Sequence, residues 1–360
     1  MYSFIILFLL LIPLRARAQV VTASFDRATL SINPASGTTR NFSQLAFFSN
    51  IRNTKSEATQ ADFNSFKLEE DIKITKFGIY FTGHGRFAPE LYISKDSAEK
   101  TFDDGGTSDE QKTKTDLINN FVNVGLLLTR NFSLGFKVYG PKFNFKEKVT
   151  IVFPDATTQV VNTNVESSIV GTGLGFTYNY NPQLYFGGYY TKIKVKDKFN
   201  TTVTDVNGTI NDNADMSTSL TQMGFGLSYL KGGIGRGLRG EIAYSRMEQP
   251  KEFDADAGEE IQLSADYSRN AFTFGANIKF RKNAYYDHIE LIDYVIGERV
   301  FNESYEPSFG GYFSYGAGKG HSVGVSGFIY DTTGKRNFYG KEQDAIIKIK
   351  QVAFNYAYLF

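Results

Sequence analysis

Cysteine is absent from all 360 residues of the chain, and tryptophan is absent as well. Without cysteine the protein cannot contain a disulfide framework, a thiolate metal site, a cysteine nucleophile or the lipid-bearing cysteine of a lipoprotein. Without tryptophan, any aromatic belt at a membrane interface must be built from the 22 tyrosines and 33 phenylalanines. The sequence therefore excludes thiol chemistry but keeps a large aromatic content.

Long apolar runs are also missing, apart from one stretch near the start of the sequence. Tyr2 to Leu14 has the length of a signal-peptide core, about 7 to 15 residues, and Ala16-Arg17-Ala18 supplies an A-x-A-like cleavage site. The run is shorter than the roughly 20 apolar residues that a membrane-spanning helix needs. We therefore predict a signal peptide over residues 1–18 and a mature chain that begins at Gln19.

An excess of charge of either sign is missing too. The chain has 39 Lys and Arg against 38 Asp and Glu, and loss of Arg15 and Arg17 with the signal peptide leaves 37 against 38, a net charge of about −1. A balanced chain of this kind shows no electrostatic footprint for nucleic acid. We expect no nucleic-acid partner.

What the chain does contain is alternation, and it is clearest at the carboxyl end. Successive strand residues point to opposite faces, so a period of two separates two surfaces. One face of the last nine residues is entirely aromatic or β-branched, and the other is small or aliphatic with one Asn. The first face consists of Val352, Phe354, Tyr356, Tyr358 and Phe360, and the second of Ala353, Asn355, Ala357 and Leu359. This pattern is typical of the closing strand of an outer-membrane β-barrel, so we predict Phe354, Tyr356, Tyr358 and Phe360 as a barrel-closure signature.

Alternation of the same kind recurs along the chain. Its apolar faces oppose faces of Gly, Ser, Thr, Asn and Gln, which suit a confined aqueous interior. Short turn-like joins, such as Arg130-Asn131 and Arg281-Lys282-Asn283, alternate with long polar stretches such as residues 95–116, 198–216 and 249–260. We predict an all-β fold, a transmembrane antiparallel up-and-down β-barrel of about 14 strands. The candidate strands lie near residues 42–52, 70–82, 86–95, 117–130, 132–147, 165–180, 184–198, 217–230, 236–248, 261–280, 284–296, 307–316, 321–330 and 345–360.

The residues ahead of the first strand are predicted to enter the barrel. About eight strands are filled by their own side chains and 16 to 18 leave an open channel, so a barrel of intermediate size calls for a partial plug. We predict a luminal plug segment over residues 19–41, a barrel over 42–360, and Asn33, Pro34 and Ala35 as the plug and substrate-passage residues. The alternative is that Asn33-Pro34 is only a turn that leads the chain into the wall.

Asn33-Pro34-Ala35 just before the first strand, about fourteen strands and a terminal Phe resemble the FadL-type transporters of fatty acids and hydrocarbons. A looser similarity, through Asn33 to Gly37, exists to the PorP/SprF-like barrels of secretion and gliding machinery. The first resemblance implies passive uptake of small hydrophobic molecules of the fatty-acid or hydrocarbon class. The second implies the alternative, a structural or assembly barrel of a secretion or motility complex.

These resemblances also imply a location and a set of partners. We expect the bacterial cell outer membrane, contact with its lipid and lipopolysaccharide, and recognition of the C-terminal strand by the barrel-assembly machinery. A hydrophobic small molecule is the expected substrate. The alternating Lys192, Lys194, Lys196 and Lys198 could contact lipopolysaccharide phosphates or could simply extend into solvent.

No enzymatic motif survives inspection of its context. Gly320-His321-Ser322-Val323-Gly324 matches G-x-S-x-G, but it lies between two predicted strands and lacks the helix that makes a nucleophile elbow. The acidic stretch 254–260 lacks the ligand spacing of an EF-hand loop. We expect no enzyme activity, no cofactor and no metal site.

Overall fold

A computed structural model describes residues 33–35, 38, 44–60, 67–83, 85–103, 111–152, 158–231, 237–248, 257–269, 271–282, 300–301, 305–318, 321–338 and 341–359. Among these residues, no helix is long and apolar enough to cross a membrane. The regular structure consists of antiparallel strands in one continuous sheet. The strands are β1 (Gln44–Gln60), β2 (Lys67–Thr82), β3 (Phe87–Asp103), β4 (Gln111–Leu127), β5 (Phe132–Tyr139), β6 (Lys142–Val152), β7 (Thr158–Asn181), β8 (Leu184–Asp205), β9 (Gly208–Lys231), β10 (Gly237–Glu248), β11 (Gly258–Arg269), β12 (Phe272–Lys282), β13 (Val300–Phe301), β14 (Glu306–Gly318), β15 (His321–Phe338) and β16 (Lys341–Leu359).

The sheet closes on itself and forms a barrel. β16 pairs with β15 along one edge and with β1 along the other, from Ala46 opposite Leu359 to Gln60 opposite Ala345. Closure leaves no open sheet edge in hydrocarbon, where an unpaired backbone group costs several kcal/mol.

The barrel wall has 14 strands, as predicted, because β5 and β6 are two parts of one wall strand and β13 is a short addition to β15. β5 and β6 both pair with β4 and β7, and the register with β4 is unchanged from Tyr139 to Lys142. Gly140 and Pro141 separate them, since proline has no N–H for the ladder. The predicted all-β barrel fold is confirmed.

Two of the predicted strands were placed differently. The candidate 261–280 was wrong as a single strand, because the chain turns between Arg269 and Phe272 and forms β11 and β12. The predicted turn at Arg281-Lys282-Asn283 was also wrong, because Arg281 and Lys282 belong to β12. The candidate 284–296 lies outside the described residues. The predicted total of 14 therefore included one strand over 261–280, where the structure has two, and one candidate that falls outside the described residues.

The two ends of the barrel differ in their connections. At one end, which we call the turn end, short joins connect the strands, including residues 128–131 and 182–183 and the join between Arg269 and Phe272. The other, which we call the hairpin end, carries paired strands that project past the rest of the wall. β8 and β9 stay paired as far as Asp205 opposite Gly208. In bacterial barrels short turns face the periplasm and longer connections face outward.

Several stretches predicted to be long polar loops are therefore strand. Residues 198–216 form the projecting part of the β8–β9 hairpin, and residues 95–116 contain the ends of β3 and β4. At the base of that hairpin Phe199 packs against the buried Phe145 and Val165. Residues 206–217 are exposed throughout, so the sequence there has no reason to alternate.

The faces of the strands separate as the sequence predicted. On β7, Leu174, Phe176, Tyr178 and Tyr180 are exposed on the outside, whereas Gly171, Gly173, Gly175 and Thr177 are buried inside. On β16, Val352, Phe354 and Tyr356 are exposed outward and Ala353 and Ala357 are buried. A band of exposed phenylalanine, tyrosine, leucine, isoleucine and valine on the outer surface is what lipid solvates.

Candidate functional site

The predicted plug residues lie inside the barrel, against a part of the wall that has no side chains. Gly125 of β4, Gly135 of β5 and Gly175 of β7 stand opposite one another in register and form a band across three strands, the glycine row. Adjacent strands are about 4.8 Å apart, so the row is a bare surface about 10 Å wide. Asn33 and Ala35 are buried on it, at 1% and 0% exposure.

The segment approaches each glycine of the row closely. A Cβ on Gly135 would overlap the backbone of Pro34 and Ala35, and a Cβ on Gly175 would overlap the amide of Asn33. A Cβ on Gly125 would come within 2.9 Å of Thr38 Cγ2. Glycine in a strand interior is unfavourable by itself, so a row of three marks a place where another backbone contacts the wall.

Hydrogen bonds hold the segment in this position. The Asn33 side-chain amide donates to the carbonyl of Phe176 at 2.7 Å, and its oxygen accepts from the N–H of Ala35 at 3.0 Å. Thr38 donates through its hydroxyl to the Ala35 carbonyl at 2.9 Å and is 2.7 Å from the hydroxyl of Ser133. Asn33 thus bonds both to the wall and within its own turn, as an Asx turn does.

A column of aromatic rings lies inside the barrel, farther from the turn end than the glycine row. Phe48 of β1, Tyr92 of β3 and Phe121 of β4 stack with centroid separations of 5.4 and 5.0 Å and interplanar angles of 18° and 8°. The ammonium of Lys137 lies 4.9 Å from the ring centre of Phe121 and 5.2 Å from that of Tyr139. We call Phe48, Tyr92 and Phe121 the aromatic column, and Lys137 ends it with a cation–π contact.

A polar layer separates the aromatic column from the glycine row. Glu90 and Asn123 stand opposite each other on β3 and β4, and Lys137 is opposite Asn123 on β5. Glu90 accepts a hydrogen bond from the Asn123 amide at 2.6 Å and another, shorter one from the Tyr80 hydroxyl. Burial of this carboxylate in the wall is offset by these donors.

The opposite wall is ionic instead of aromatic. On β10, Arg239 pairs with Glu241 at 2.9 Å, and between β11 and β12, Glu260 pairs with Arg281 at 2.7 Å and with Lys279 at 3.7 Å. The interior thus has an aromatic side, on β1 to β5, which also holds the ion pair of Lys76 with Asp96 at 2.9 Å, and an ionic side, on β10 to β12.

The sequence placed some of these residues and missed others. It predicted Asn33, Pro34 and Ala35 as a luminal segment, and the structure brings all three to the glycine row. It did not identify Gly125, Gly135, Lys137 or the aromatic column, since it predicted an interior of Gly, Ser, Thr, Asn and Gln. These residues could be found only from the strand register, which places residues of different strands opposite one another.

The predicted closure residues lie elsewhere, on the outer surface of the seam. Phe354, Tyr356 and Tyr358 of β16 are opposite Ile51, Ser49 and Phe47 of β1. Phe360 lies outside the described residues. Ser322 of the G-x-S-x-G match is buried within β15, between strands and not at a strand-to-helix turn.

No protein-family model and no curated protein matches the sequence. Solved structures do resemble it. A FadL homologue from Pseudomonas aeruginosa gives a TM-score of 0.62 at 13% identity and covers 96% of each chain. The toluene transporter TodX of P. putida gives 0.61 at 9% identity, covering 91% of this chain and 92% of that one. The toluene transporter TbuX of Ralstonia pickettii gives 0.59 at 12% identity, covering 96% and 95%. These likenesses show that the chain has the outer-membrane barrel fold of FadL-type transport channels, as predicted.

Proposed function

We propose that this barrel takes up small hydrophobic molecules, of the fatty-acid or hydrocarbon class, passively across the bacterial outer membrane. The observation that carries the proposal is the packing of Asn33, Pro34 and Ala35 against the glycine row. A wall with three glycines that make room for a segment inside its lumen is suited to control passage.

The aromatic side of the interior supports an apolar cargo. Tyr92 of the aromatic column is buried between the other two rings, at 4% exposure, but Phe48 and Phe121 are only partly buried and offer apolar surface to a molecule in the lumen. Solved structures with the same fold include toluene transporters and the monoaromatic hydrocarbon channel CymD. These neighbours are transporters and channels, which supports a protein without enzymatic chemistry.

The order of elements along the barrel supplies a route. A molecule that enters from the hairpin end would meet the aromatic column first, then the layer of Glu90 and Asn123, and then the glycine row with its plug. Release toward the turn end would require movement of Asn33 to Ala35, because they lie in the lumen at the level of the glycine row. The residues 19–41 together are the proposed plug, and residues 42–360 the proposed barrel.

Uptake in cells tests the proposal. A strain that lacks the protein is complemented with the wild type, with Asn33→Ala, and with Gly240→Ala, a change at a strand glycine that has open space around it. We expect radiolabelled oleate and toluene to accumulate at least several times faster with the wild type and with Gly240→Ala than with no plasmid. Asn33→Ala should give a different rate at equal surface amounts.

The alternative function has its own readout in the same strains. If uptake of both compounds is unchanged by deletion while secretion to the surface or gliding is lost, the assembly barrel is the correct assignment. Recognition of the C-terminal strand by the assembly machinery stays a prediction in either case.

A further inference from the structure

A column of four lysines stands on the outer surface of β8, directly where its apolar surface ends. Lys192, Lys194, Lys196 and Lys198 alternate along the strand and are all exposed. Toward the turn end, the same face carries Phe186 and Tyr190, which are 41% and 51% exposed. One strand face thus changes from aromatic to cationic within two residues, which places the change at a lipid–water boundary.

The three lysines nearest the apolar face have no acidic residue opposite them. Thr172 and Thr221 flank Lys192, Val170 and Ser219 flank Lys194, and Ser168 and Ser217 flank Lys196. Lys198 differs, because Glu166 and Asp215 stand on either side of it. Like charges at this spacing repel one another. An anion bound among the first three would relieve that repulsion. Glu166 and Asp215 are directly opposite Lys198 and only diagonal to Lys196.

A further lysine extends the column into a cluster. Lys142 of β6 is opposite Ser168 of β7, and Ser168 is opposite Lys196. Lys142 and Lys196 are therefore two strands apart, about 10 Å, with a serine hydroxyl between them and Lys194 one step below. Three lysines in register around one serine are suited to phosphate, which lysine binds as a compact point charge. We call Lys142, Lys194, Lys196 and Ser168 the lysine cluster.

The height of the column indicates which phosphate. Alternate residues are about 6.7 Å apart along a strand, and a tilt of about 40° turns the three intervals from Lys192 to Lys198 into a rise of about 15 Å. The interfacial layer of a phospholipid bilayer is only about 5 to 7 Å deep on each side. Cations that continue beyond that depth match a headgroup of several sugars better than a single glycerol phosphate.

We propose that the lysine cluster binds a phosphate on the saccharide headgroup of lipopolysaccharide, with the acyl chains of that lipid against Phe186 and Tyr190. The proposed phosphate site lies on the outer surface of the barrel, so its test is independent of the proposed uptake through the lumen. The lipid would be a fixed partner of this side of the barrel and not a cargo.

Binding of purified lipopolysaccharide to the detergent-solubilised protein tests the proposal. The variant Lys142→Gln/Lys194→Gln/Lys196→Gln should bind it at least about tenfold more weakly, since each lysine near an anionic lipid surface contributes about a fivefold effect. The matched control, Arg86→Gln/Arg130→Gln/Lys231→Gln, removes the same charge from exposed sites at the turn end and should bind within about twofold of wild type. Lys198→Gln should also have little effect.

Three results would overturn the assignment. They are unchanged binding in the cluster variant, an equal loss in the control variant, and equal binding of lipopolysaccharide from which phosphate has been removed. Equal affinity for phosphatidylglycerol vesicles would replace the glycolipid with a phospholipid. The mobility of unboiled protein on gels shows whether each variant has a folded barrel, and these side chains point away from the core, so folding is expected to be kept.

Discussion

At the scale of single residues, the methyl group that Gly135 lacks decides whether the plug can sit on the wall. Gly135→Ala would place a carbon onto the backbone of Pro34 and Ala35, and backbone cannot rotate away as the end of a side chain can. Overpacking of this kind costs about 1 to 3 kcal/mol. We expect the plug to leave its seat while the wall remains closed.

The absence of cysteine makes this measurable. The hydroxyls of Thr38 and Ser133 are 2.7 Å apart, so Thr38→Cys/Ser133→Cys should form a disulfide under mild oxidation in an otherwise cysteine-free chain. Adding Gly135→Ala should slow that reaction roughly five- to hundredfold. Gly240→Ala, with nothing within 4 Å of its Cβ, is the control and should leave the rate alone. Equal rates in all three would show that the segment does not depend on the glycine row.

Asn33 offers a second test, because its amide makes two different hydrogen bonds. Asn33→Asp keeps the oxygen that accepts from Ala35 but loses the N–H that donates to Phe176, and Asn33→Ala loses both. At about 0.5 to 1.5 kcal/mol for each bond, adding Asn33→Ala to Thr38→Cys/Ser133→Cys should slow the crosslinking. Asn33→Asp should slow it at least as much, because its buried carboxylate would face the carbonyl of Phe176. If Thr38→Cys/Ser133→Cys is crosslinked equally fast with and without Asn33→Ala, the hydrogen bonds do not hold the plug.

At the scale of elements, the alternation of side chains indicates a turn inside the predicted strand 261–280. On β11 the outward residues are odd-numbered, as Leu263 and Tyr267 are, whereas on β12 they are even-numbered, as Phe272 and Phe274 are. A continuous strand keeps its parity, so the change at residues 270–271 marks the turn that the prediction of one strand over 261–280 missed. The tip of the β8–β9 hairpin could not be predicted in this way, since residues 206–217 are exposed on both faces.

Strand register explains why the plug residues were predicted and the glycine row was not. Asn33-Pro34-Ala35 is contiguous and can be recognised in the sequence, whereas Gly125 and Gly135 become neighbours only through the turn at Arg130-Asn131. That hairpin could have been paired from its turn alone. Gly175 could not, because β7 meets β5 only after the chain has passed through β6.

The closing strand gives a prediction for an element that faces lipid on one side only. Phe354 is 57% exposed on the outer face of β16, and Asn355 beside it points into the lumen, near Asn50. Phe354→Lys should lower the free energy of unfolding by about 2 to 4 kcal/mol in lipid vesicles, the cost of a lysine on the lipid face near the midplane. Asn355→Lys should cost distinctly less.

Urea titration in vesicles, followed by the mobility of unboiled protein on gels, measures both variants without tryptophan fluorescence. The predicted seam would be wrong if Asn355→Lys destabilised the barrel as much as Phe354→Lys.

At the scale of the whole molecule, the number of strands explains why the lumen holds a segment of chain. A wall of 14 strands encloses more space than an eight-stranded barrel, which side chains fill, and less than the 16 to 18 strands of an open porin. This chain divides that space between an aromatic side, an ionic side and a segment on bare backbone. If residues 19–41 are the plug, their removal should leave a folded barrel with a continuous aqueous path along its ionic side.

Planar-bilayer conductance tests this expectation. The wild type should conduct little, and deletion of residues 19–41 should raise single-channel conductance at least about fivefold, because no wall side chain fills the glycine row. The heat-modifiable gel shift should be the same for both proteins, since the wall closes through β1 and β16 without help from the segment. Asn33→Ala should lie between them and flicker, as a plug with fewer hydrogen bonds moves in and out of place. Equal conductance with and without the segment would mean that the wall's own side chains block the lumen, and the turn interpretation of Asn33-Pro34 would then be the correct one.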